Sequence, residues 1–387
     1  YEMRKGVVLF YMMIWTGCLL AQERRGIEVT GYLNEMFSGF TEDLTKSWYW
    51  QNTLHNRLTL GWQPGEYWRI DAGVRNRLFC GDFLDIPSYA KRLEDDQGFL
   101  DLSWNVVDKE KALLNMTFDR LFFTFEKGKW CLKLGRQRVN WGQTFVWNAN
   151  DLFNSYSFFD FDYIERPGCD AFRGTYYHDE TSFSEVVVSL DASDQVTAAF
   201  LHHGVVKDFD FQVMTGIQAE NDFVIGGAMT GAWGGVNLRW EFAYHQPMKS
   251  FGKSTGIIEA SLGVDYLFSN DLMLQGEVMY NNKESMFSLK NLVGILMNPS
   301  SVDMMTAMND WNVAMMAYYP PTDRLSLSVS GMYMSGLGTC FVGLIMDYSL
   351  WNNLDLSVIS QYFTTVGDKL PIDASAWLGF VRLKYSF

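Results

Sequence analysis

Residues 375–387 read Ser375-Ala376-Trp377-Leu378-Gly379-Phe380-Val381-Arg382-Leu383-Lys384-Tyr385-Ser386-Phe387. Side chains alternate with period two along a strand. Trp377, Gly379, Val381, Leu383, Tyr385 and Phe387 therefore share one side, and Ala376, Leu378, Phe380, Arg382, Lys384 and Ser386 the other. The first set has an apolar body and an aromatic end, as a lipid-facing surface would. The second carries both charges. A strand of this kind that finishes on an aromatic is the ending expected of a bacterial outer-membrane barrel, with Phe387 at the periplasmic side.

Working back along the chain, the same alternation recurs. Val236, Leu238, Trp240, Phe242 and Tyr244 interleave with Asn237, Arg239, Glu241 and His245. Leu272, Leu274, Gly276, Val278 and Tyr280 do so with Gln275, Glu277 and Asn281, and Leu325, Leu327, Val329, Gly331 and Tyr333 with Arg324, Ser326, Ser328 and Ser330. An apolar outer set against a polar inner set is the pattern of a barrel with a wet lumen, and segments of about ten residues suffice to cross a bilayer when tilted. Tight connections such as Ser269-Asn270, Trp351-Asn352-Asn353, Pro320-Pro321-Thr322-Asp323 and Ala192-Ser193-Asp194 leave no room for crossover helices, which excludes parallel α/β folds.

Bulk properties agree. Of the 387 residues 48% are hydrophobic and 16% aromatic, only 8 are proline, and yet the mean hydropathy is near neutral because apolar and polar residues alternate. Beyond the N-terminus no stretch is apolar for the roughly 18 residues a spanning helix needs. The formal charge of −14 argues against nucleic acid as a partner. Residues 1–21 have the form of a signal peptide: Arg4 and Lys5 precede an apolar core from Gly6 to Leu20, with Ala21-Gln22 as the expected cleavage point and acylation of Cys18 as the rival. Cys80, Cys131, Cys169 and Cys340 show no metal-binding spacing, and a Cys80–Cys169 disulfide between two expected loops is one reading of them.

The sequence thus predicts an all-β, transmembrane, antiparallel up-and-down barrel over 51–387, with about 18 strands and 16 as the alternative. Residues 22–50 are expected to be a lead-in or plug, with Ile27–Met36, a further strand candidate outside the count of 18, assigned to that role. Counting back from Phe387 sends the long connections Asn282–Met308 and Gln137–Cys169 outward or into the barrel. The same count puts Cys80–Gln97, with a short helix over Ile86–Asp95, on the periplasmic side.

Residues 133–173 break the alternation. Trp141, Trp147, Phe153, Tyr156, Phe158, Phe159, Phe161 and Tyr163 crowd beside Arg136, Arg138, Asn148, Asn150, Asp151, Asp160, Asp162, Glu165 and Arg166. So long and aromatic a connection is expected to fold inward and pack on the lumen wall. Gly135-Arg136-Gln137 and Trp141-Gly142, followed by Asn150-Asp151-Leu152-Phe153-Asn154 and Glu165-Arg166-Pro167-Gly168, resemble porin-like outer-membrane barrels of Gram-negative bacteria. The likeness is to families related to substrate-specific and exopolysaccharide-export porins, notably their Bacteroidota-type members. It implies a barrel that passes a solute, without identifying the solute.

Two charge groups are candidates for the lumen. Arg136, Arg138, Arg166 and Arg173 would face Asp151, Asp160, Asp162 and Glu165 across a constriction, or else pair with them in a network that anchors the loop. Arg57 shares a strand face with His55 and Thr59; Arg69, Asp71, Arg75 and Arg77 share another, opposite Trp68, Ile70 and Val74. Such arginines would form a track for phosphate, sulfate or carboxylated solutes, or balance the acids of an acidic barrel. No catalytic residue, cofactor or metal is expected: none of the five histidines has a triad spacing, and His202 and His203 point to opposite faces. The expected role is a passive porin-like channel in the outer membrane, contacting lipid and lipopolysaccharide and passing small polar or anionic solutes. A plugged, structural or glycan-binding barrel in a larger envelope complex is the alternative, and a hydrolase the last choice.

Overall fold

The computed structural model describes residues 26–42, 44, 47–86, 89–154, 165–283, 310–336, 338–366 and 375–387. The expected signal peptide with Cys18, Asp160, Asp162 and most of 282–308 lie outside the described residues. The strands in chain order are β1 (Ile27–Thr41), β2 (Tyr49–Gly65), β3 (Trp68–Gly81), β4 (Ser103–Lys109), β5 (Ala112–Lys127), β6 (Trp130–Gln137), β7 (Cys169–Tyr177), β8 (Phe183–Leu190), β9 (Val196–Val206) and β10 (Phe209–Gln218). They continue as β11 (Asp222–Trp233), β12 (Val236–Pro247), β13 (Ile257–Leu267), β14 (Met273–Asn281), β15 (Asp310–Thr322), β16 (Leu325–Met334), β17 (Thr339–Trp351), β18 (Leu354–Thr365) and β19 (Ser375–Ser386). One helix, α1 (Tyr89–Glu94), follows a 3-10 turn at Asp82–Asp85.

All pairings are antiparallel, and β1 closes the sheet by pairing with both β2 and β19. Eighteen strands make the wall; the nineteenth, β4, is a short insert. Phe387 completes the seam, exchanging backbone hydrogen bonds of 2.9 Å with Gly31 in both directions. Closure leaves no open edge, which is what a sheet in hydrocarbon requires. No helix among the described residues is long and apolar enough to cross a membrane.

Ile27–Met36 is therefore not a lead-in or plug. It lies within a wall strand whose Tyr32, Asn34, Met36, Ser38 and Phe40 face inward and are buried. The expected total of eighteen was reached with the wrong member, since β4 stood in for β1. β4 covers only the first part of β5, from Ser103 opposite Thr117 to Lys109 opposite Ala112. It lies on the edge that β6 takes further along, from Leu121 opposite Arg136 to Lys127 opposite Trp130. It fills the notch left where β6 ends early.

Counting β4 as a wall strand also inverts the parity of everything before it. The connection after Cys80 thus sits at the same end as 138–168 and 282–309, not at the periplasmic end; the short helix within it is present. One barrel end carries the connections 66–67, 128–129, 178–182, 207–208, 234–235, 268–272, 323–324 and 352–353, together with Gly26 and Phe387. The other carries every long one. Short turns mark the periplasmic end of an outer-membrane barrel. Cys80 and Cys169 lie in β3 and β7, not in loops, and both are free thiols.

The outer surface is apolar. Trp50, Trp311, Tyr333 and Tyr362 with Trp377 stand toward the long-loop end; Trp62, Trp68, Trp130, Tyr266, Tyr348 and Tyr385 stand toward the other. Between these girdles lie exposed Val213, Leu262, Val278, Val329, Leu344 and Val381. From Trp377 to Tyr385 a tilted strand climbs about 20 Å, close to the height of a membrane barrel's apolar band. This is an outer-membrane β-barrel, and β19, β12, β14 and β16 present the faces their sequences predict.

Candidate functional site

Inside the wall, the connection after β6 folds back along the lumen. Its residues Val139, Trp141, Ala149 and Leu152 pack on Ala171 of β7, Val187 of β8, Ala199 and Leu201 of β9, Met214 of β10, Val224 of β11 and Ala243 of β12. Small and mid-sized inward side chains leave room there for a second layer.

Polar groups fix its course. Glu185, Glu241 and Glu277, inward on β8, β12 and β14, are all but fully buried. Glu241 accepts the backbone N–H of Gln143, that of Thr144 at 2.6 Å and that of Asn150 at 3.1 Å, plus the Thr144 hydroxyl at 3.0 Å. Glu277 accepts three successive N–H groups, from Phe145 at 2.8 Å, Val146 at 3.0 Å and Trp147 at 2.8 Å. Glu185 accepts from Trp141 Nε1 at 2.8 Å, Arg173 Nε at 2.7 Å and Thr175 Oγ1 at 2.8 Å. A buried carboxylate persists only when donors replace its lost water, and a loop with unpaired N–H groups needs acceptors. Each solves the other's problem. Ser261 adds a bond to the Trp147 carbonyl at 3.1 Å, and the Arg239 guanidinium lies 4.3 Å over the Phe145 ring. From β6 to β14 is eight strands round a ring of eighteen, so the loop reaches nearly the far side.

The returning end lands on the opposite wall. Arg120 of β5 holds the carbonyls of Glu165 at 2.5 Å and Arg166 at 2.8 Å. The Glu165 carboxylate accepts from the Tyr32 hydroxyl at 3.2 Å and lies 4.0 Å from Arg57. Arg57 crosses β3 to a two-point pair with Asp119 of β5, Nε to Oδ2 at 2.9 Å and Nη2 to Oδ1 at 3.2 Å. Gly73 makes that crossing possible: a Cβ there would meet Asp119 Oδ1 at 2.6 Å and Arg57 Nη2 at 2.7 Å. A bulge opposite Gly73 and Val74 turns Asp119 toward the pair.

The arginine faces lie inward as read from the sequence. Arg75 stands directly opposite Arg57 in the register, and Arg77 opposite His55. Like charges so placed repel; Asp119 offsets Arg57, and Asn115 accepts from Arg77 at 2.9 Å. Arg69 pairs with Asp71 at 2.9 Å and with Glu28 at 3.3 Å, near the short-turn end.

Of the four arginines assigned to a constriction, Arg136 lies outside the lumen and Arg173 has another partner. By register Arg136 shares the outer face with exposed Leu121 and Leu134, and its pair Asp170 shares it with Phe172 and Leu190. Residues 96–100 strap over that face: Arg136 donates to Asp170 at 2.7 and 2.9 Å, to Asp96 at 2.5 Å and to the Leu100 carbonyl at 2.5 Å. Arg136 thus belongs to an exterior ion pair under a lid of chain, not to the lumen. Arg173 does face inward, tied to Glu185 instead of to a loop acid. Arg138, which donates to Asn140 at 2.9 Å, and Arg166 both act on Asp151, whose carboxyl burial pushes well above the usual carboxylate range.

Sequence reasoning missed the roles of Glu185, Glu241, Glu277 and Arg120. Glu241 and Glu277 were visible as inward polar residues, but only the fold shows that one loop collects them. Ser184 was missed too. It sits on the outer face with its hydroxyl 2.7 Å from His178 Nε2 and 3.0 Å from His202 Nδ1, away from the lumen and with no carboxylate paired to either ring among the described residues.

No protein-family model and no curated sequence matches the chain. Solved structures do. Acinetobacter baumannii OccAB1 superposes with a TM-score of 0.59 at 7% identity, over 94% of this chain and 97% of that one. Pseudomonas aeruginosa OccK5 (OpdH) gives 0.58 at 9%, over 93% and 98%. Pseudomonas aeruginosa OccK11 (OpdR) gives 0.56 at 10%, over 93% and 96%. At such identities the likeness is one of fold: the chain shares the closed 18-strand antiparallel barrel of these outer-membrane porins.

Proposed function

We propose that the barrel is a porin-like channel that lets small polar or anionic solutes diffuse across the outer membrane. One observation carries this reading: the 138–168 connection is fixed to opposite walls, by Glu241 and Glu277 on one side and by Arg120, Arg57 and Tyr32 on the other. A segment so held narrows the lumen at a defined place, beside inward Arg57, Arg75 and Arg77. Charges lining a constriction set which ions pass. The Occ barrels with the same fold are porins, which supports transport over catalysis. The plugged-assembly alternative loses its N-terminal plug, because Ile27–Thr41 is wall. The Bacteroidota-type affinity of the Gly135-Arg136-Gln137 and Trp141-Gly142 motif belongs to the same proposal.

Purified protein in planar bilayers is expected to conduct, and Arg75→Ala with Arg77→Ala to move the reversal potential toward cation selectivity. Folded protein that carries no current would overturn the channel reading; unchanged reversal potentials would remove the arginine track from it.

A further inference from the structure

We propose that the lipid-facing wall carries a headgroup site at its short-turn end, where His178, His202 and Lys129 hold the phosphate of a membrane phospholipid.

By register Trp130, Tyr176, Ser184 and His202 are successive partners across β6, β7, β8 and β9. Trp130 belongs to the outer aromatic girdle, so the whole row points outward at girdle height. His178 stands just beyond β7, in the turn that leads to β8. A row facing lipid should be apolar, and this one carries polar groups. Ser184 joins them, its hydroxyl 2.7 Å from His178 Nε2 and 3.0 Å from His202 Nδ1. The two rings stand edge to face with centroids 5.5 Å apart. That hydroxyl has a single hydrogen to give, and the ring receiving it carries its own proton on the far nitrogen, as a donor. Neither His178 Nδ1 nor His202 Nε2 has a partner among the described residues.

Lys129, in the turn between β5 and β6, adds an ammonium beside them. Its Nζ donates to the His178 carbonyl at 2.5 Å and lies 6.0 Å over the Tyr176 ring, which leaves two of its three donors unused. The acid next to His178 does not compete for them. Asp179 is tied into its own turn, accepting from Thr181 and Ser182 backbone N–H groups at 2.9 Å and from their hydroxyls at 3.0 and 2.6 Å. Imidazole and ammonium donors converging from two strands and a turn suit one phosphate group.

The wall also provides for the rest of a lipid. Two residues toward the membrane centre, the same row reads Leu132, Gly174, Val186 and Phe200. Nothing stands nearer than 3.5 Å to where a Gly174 Cβ would be. A shallow groove therefore opens directly below the polar row, floored by Gly174 and edged by exposed Phe172 and Val186. A free anion would use the donors and leave the groove empty; a glycerophospholipid uses both, with its phosphate at the girdle and an acyl chain below. Short turns mark the periplasmic end, whose leaflet is phospholipid and not lipopolysaccharide.

The test is native mass spectrometry of the full-length protein in detergent with added dioctanoylphosphatidylglycerol. Wild type is expected to retain the lipid, and His178→Gln with His202→Gln to bind it about tenfold more weakly, the scale of a charge-assisted hydrogen bond. Lys129→Gln, in an exposed turn, is expected to cost about threefold, and it carries the test should the double variant fail to fold. His203→Gln lies on the same strand but inward, stacked on Phe183, and should change nothing. Equal binding by wild type, the double variant and Lys129→Gln would overturn the proposal. A loss as large in His203→Gln would do the same. Equal retention of dioctanoylglycerol, which has the chains without the phosphate, would reduce the site to its groove and overturn phosphate recognition. Displacement by inorganic phosphate at the lipid's own concentration would make it a free-anion site and overturn the lipid assignment. Conduction enters none of these outcomes, so the headgroup site and the channel reading fail separately.

Discussion

Single residues matter most here where the wall is crossed by something other than a strand. Gly98 is the sharpest case. It bridges to Asp191 and lies directly over the Arg136–Asp170 pair, where a Cβ would meet Arg136 Nη2 at 2.0 Å and Asp170 Oδ2 at 2.7 Å. Gly98→Ala is therefore expected to lift the strap and open a buried ion pair to its surroundings, at a cost of about 2–3 kcal/mol. Thermal unfolding of the detergent-solubilised barrel measures it, and an unchanged midpoint would show that the strap yields freely. Asp151 gives a pH-dependent counterpart. Burial raises its carboxyl against the pull of Arg138. An acid raised by folding adds stability below its unfolded value of about 3.9 and loses it as the pH climbs through the folded value. Asp151→Asn, neutral at every pH, should match wild type near pH 4 and melt a few degrees higher at about pH 8. A variant less stable at the higher pH would show that the arginines, not burial, set the balance.

Elements were legible wherever period two was clean. β12, β14, β16 and β19 could be read with their facing, because aromatic ends and aliphatic middles leave no doubt about which set meets lipid. β1 could not. Its outward set includes Glu35, which accepts from outward Asn52 at 3.2 Å, so polar residues stand on the face that should read as apolar. β4 was miscounted for the converse reason: a short alternating segment reads as a strand whether it spans the wall or patches a notch beside β5. Arg136 was misplaced because the strap that covers it comes from residues 96–100, a long-range contact that no local pattern encodes. The inward fold of residues 138–154 was legible from their aromatic content, while its anchors were not, since Glu185, Glu241 and Glu277 belong to three separate strands. Those glutamates make a prediction about the element itself. Glu241→Gln leaves one acceptor oxygen where two served Gln143, Thr144 and Asn150, and sets amide hydrogens against their N–H groups. Loss of charge-assisted bonds of this kind costs about 2–3 kcal/mol. The loop should loosen without loss of the barrel, seen as noisier single-channel current and faster proteolysis within 138–154. Quiet current and intact loop would mean that Glu277 and the apolar seam suffice.

At the scale of the molecule, orientation is the property on which every functional statement depends, and it follows from closure. β1 and β19 are neighbours, so Gly26 and Phe387 share one end; the antiparallel order then assigns each connection to an end without further choice. That assignment puts every connection longer than five residues at one end, with 248–256 among them and 268–272 among the short turns opposite. If short turns face the periplasm, the strap, helix α1 and the lumen loop all enter from outside, where solute arrives. Lys253 and Asn270 are exposed and lie at opposite ends. Lys253→Cys should react on intact cells with a maleimide carried on a polymer too large for the pore. Asn270→Cys should react only after the outer membrane is permeabilised. Among the described residues the cysteines, Cys80, Cys131, Cys169 and Cys340, are buried or half-buried in strands and set a low background. The reverse labelling order would turn the barrel over, put the arginine wall's loop at the periplasmic mouth, and make the channel one whose selectivity step follows passage through the membrane instead of preceding it.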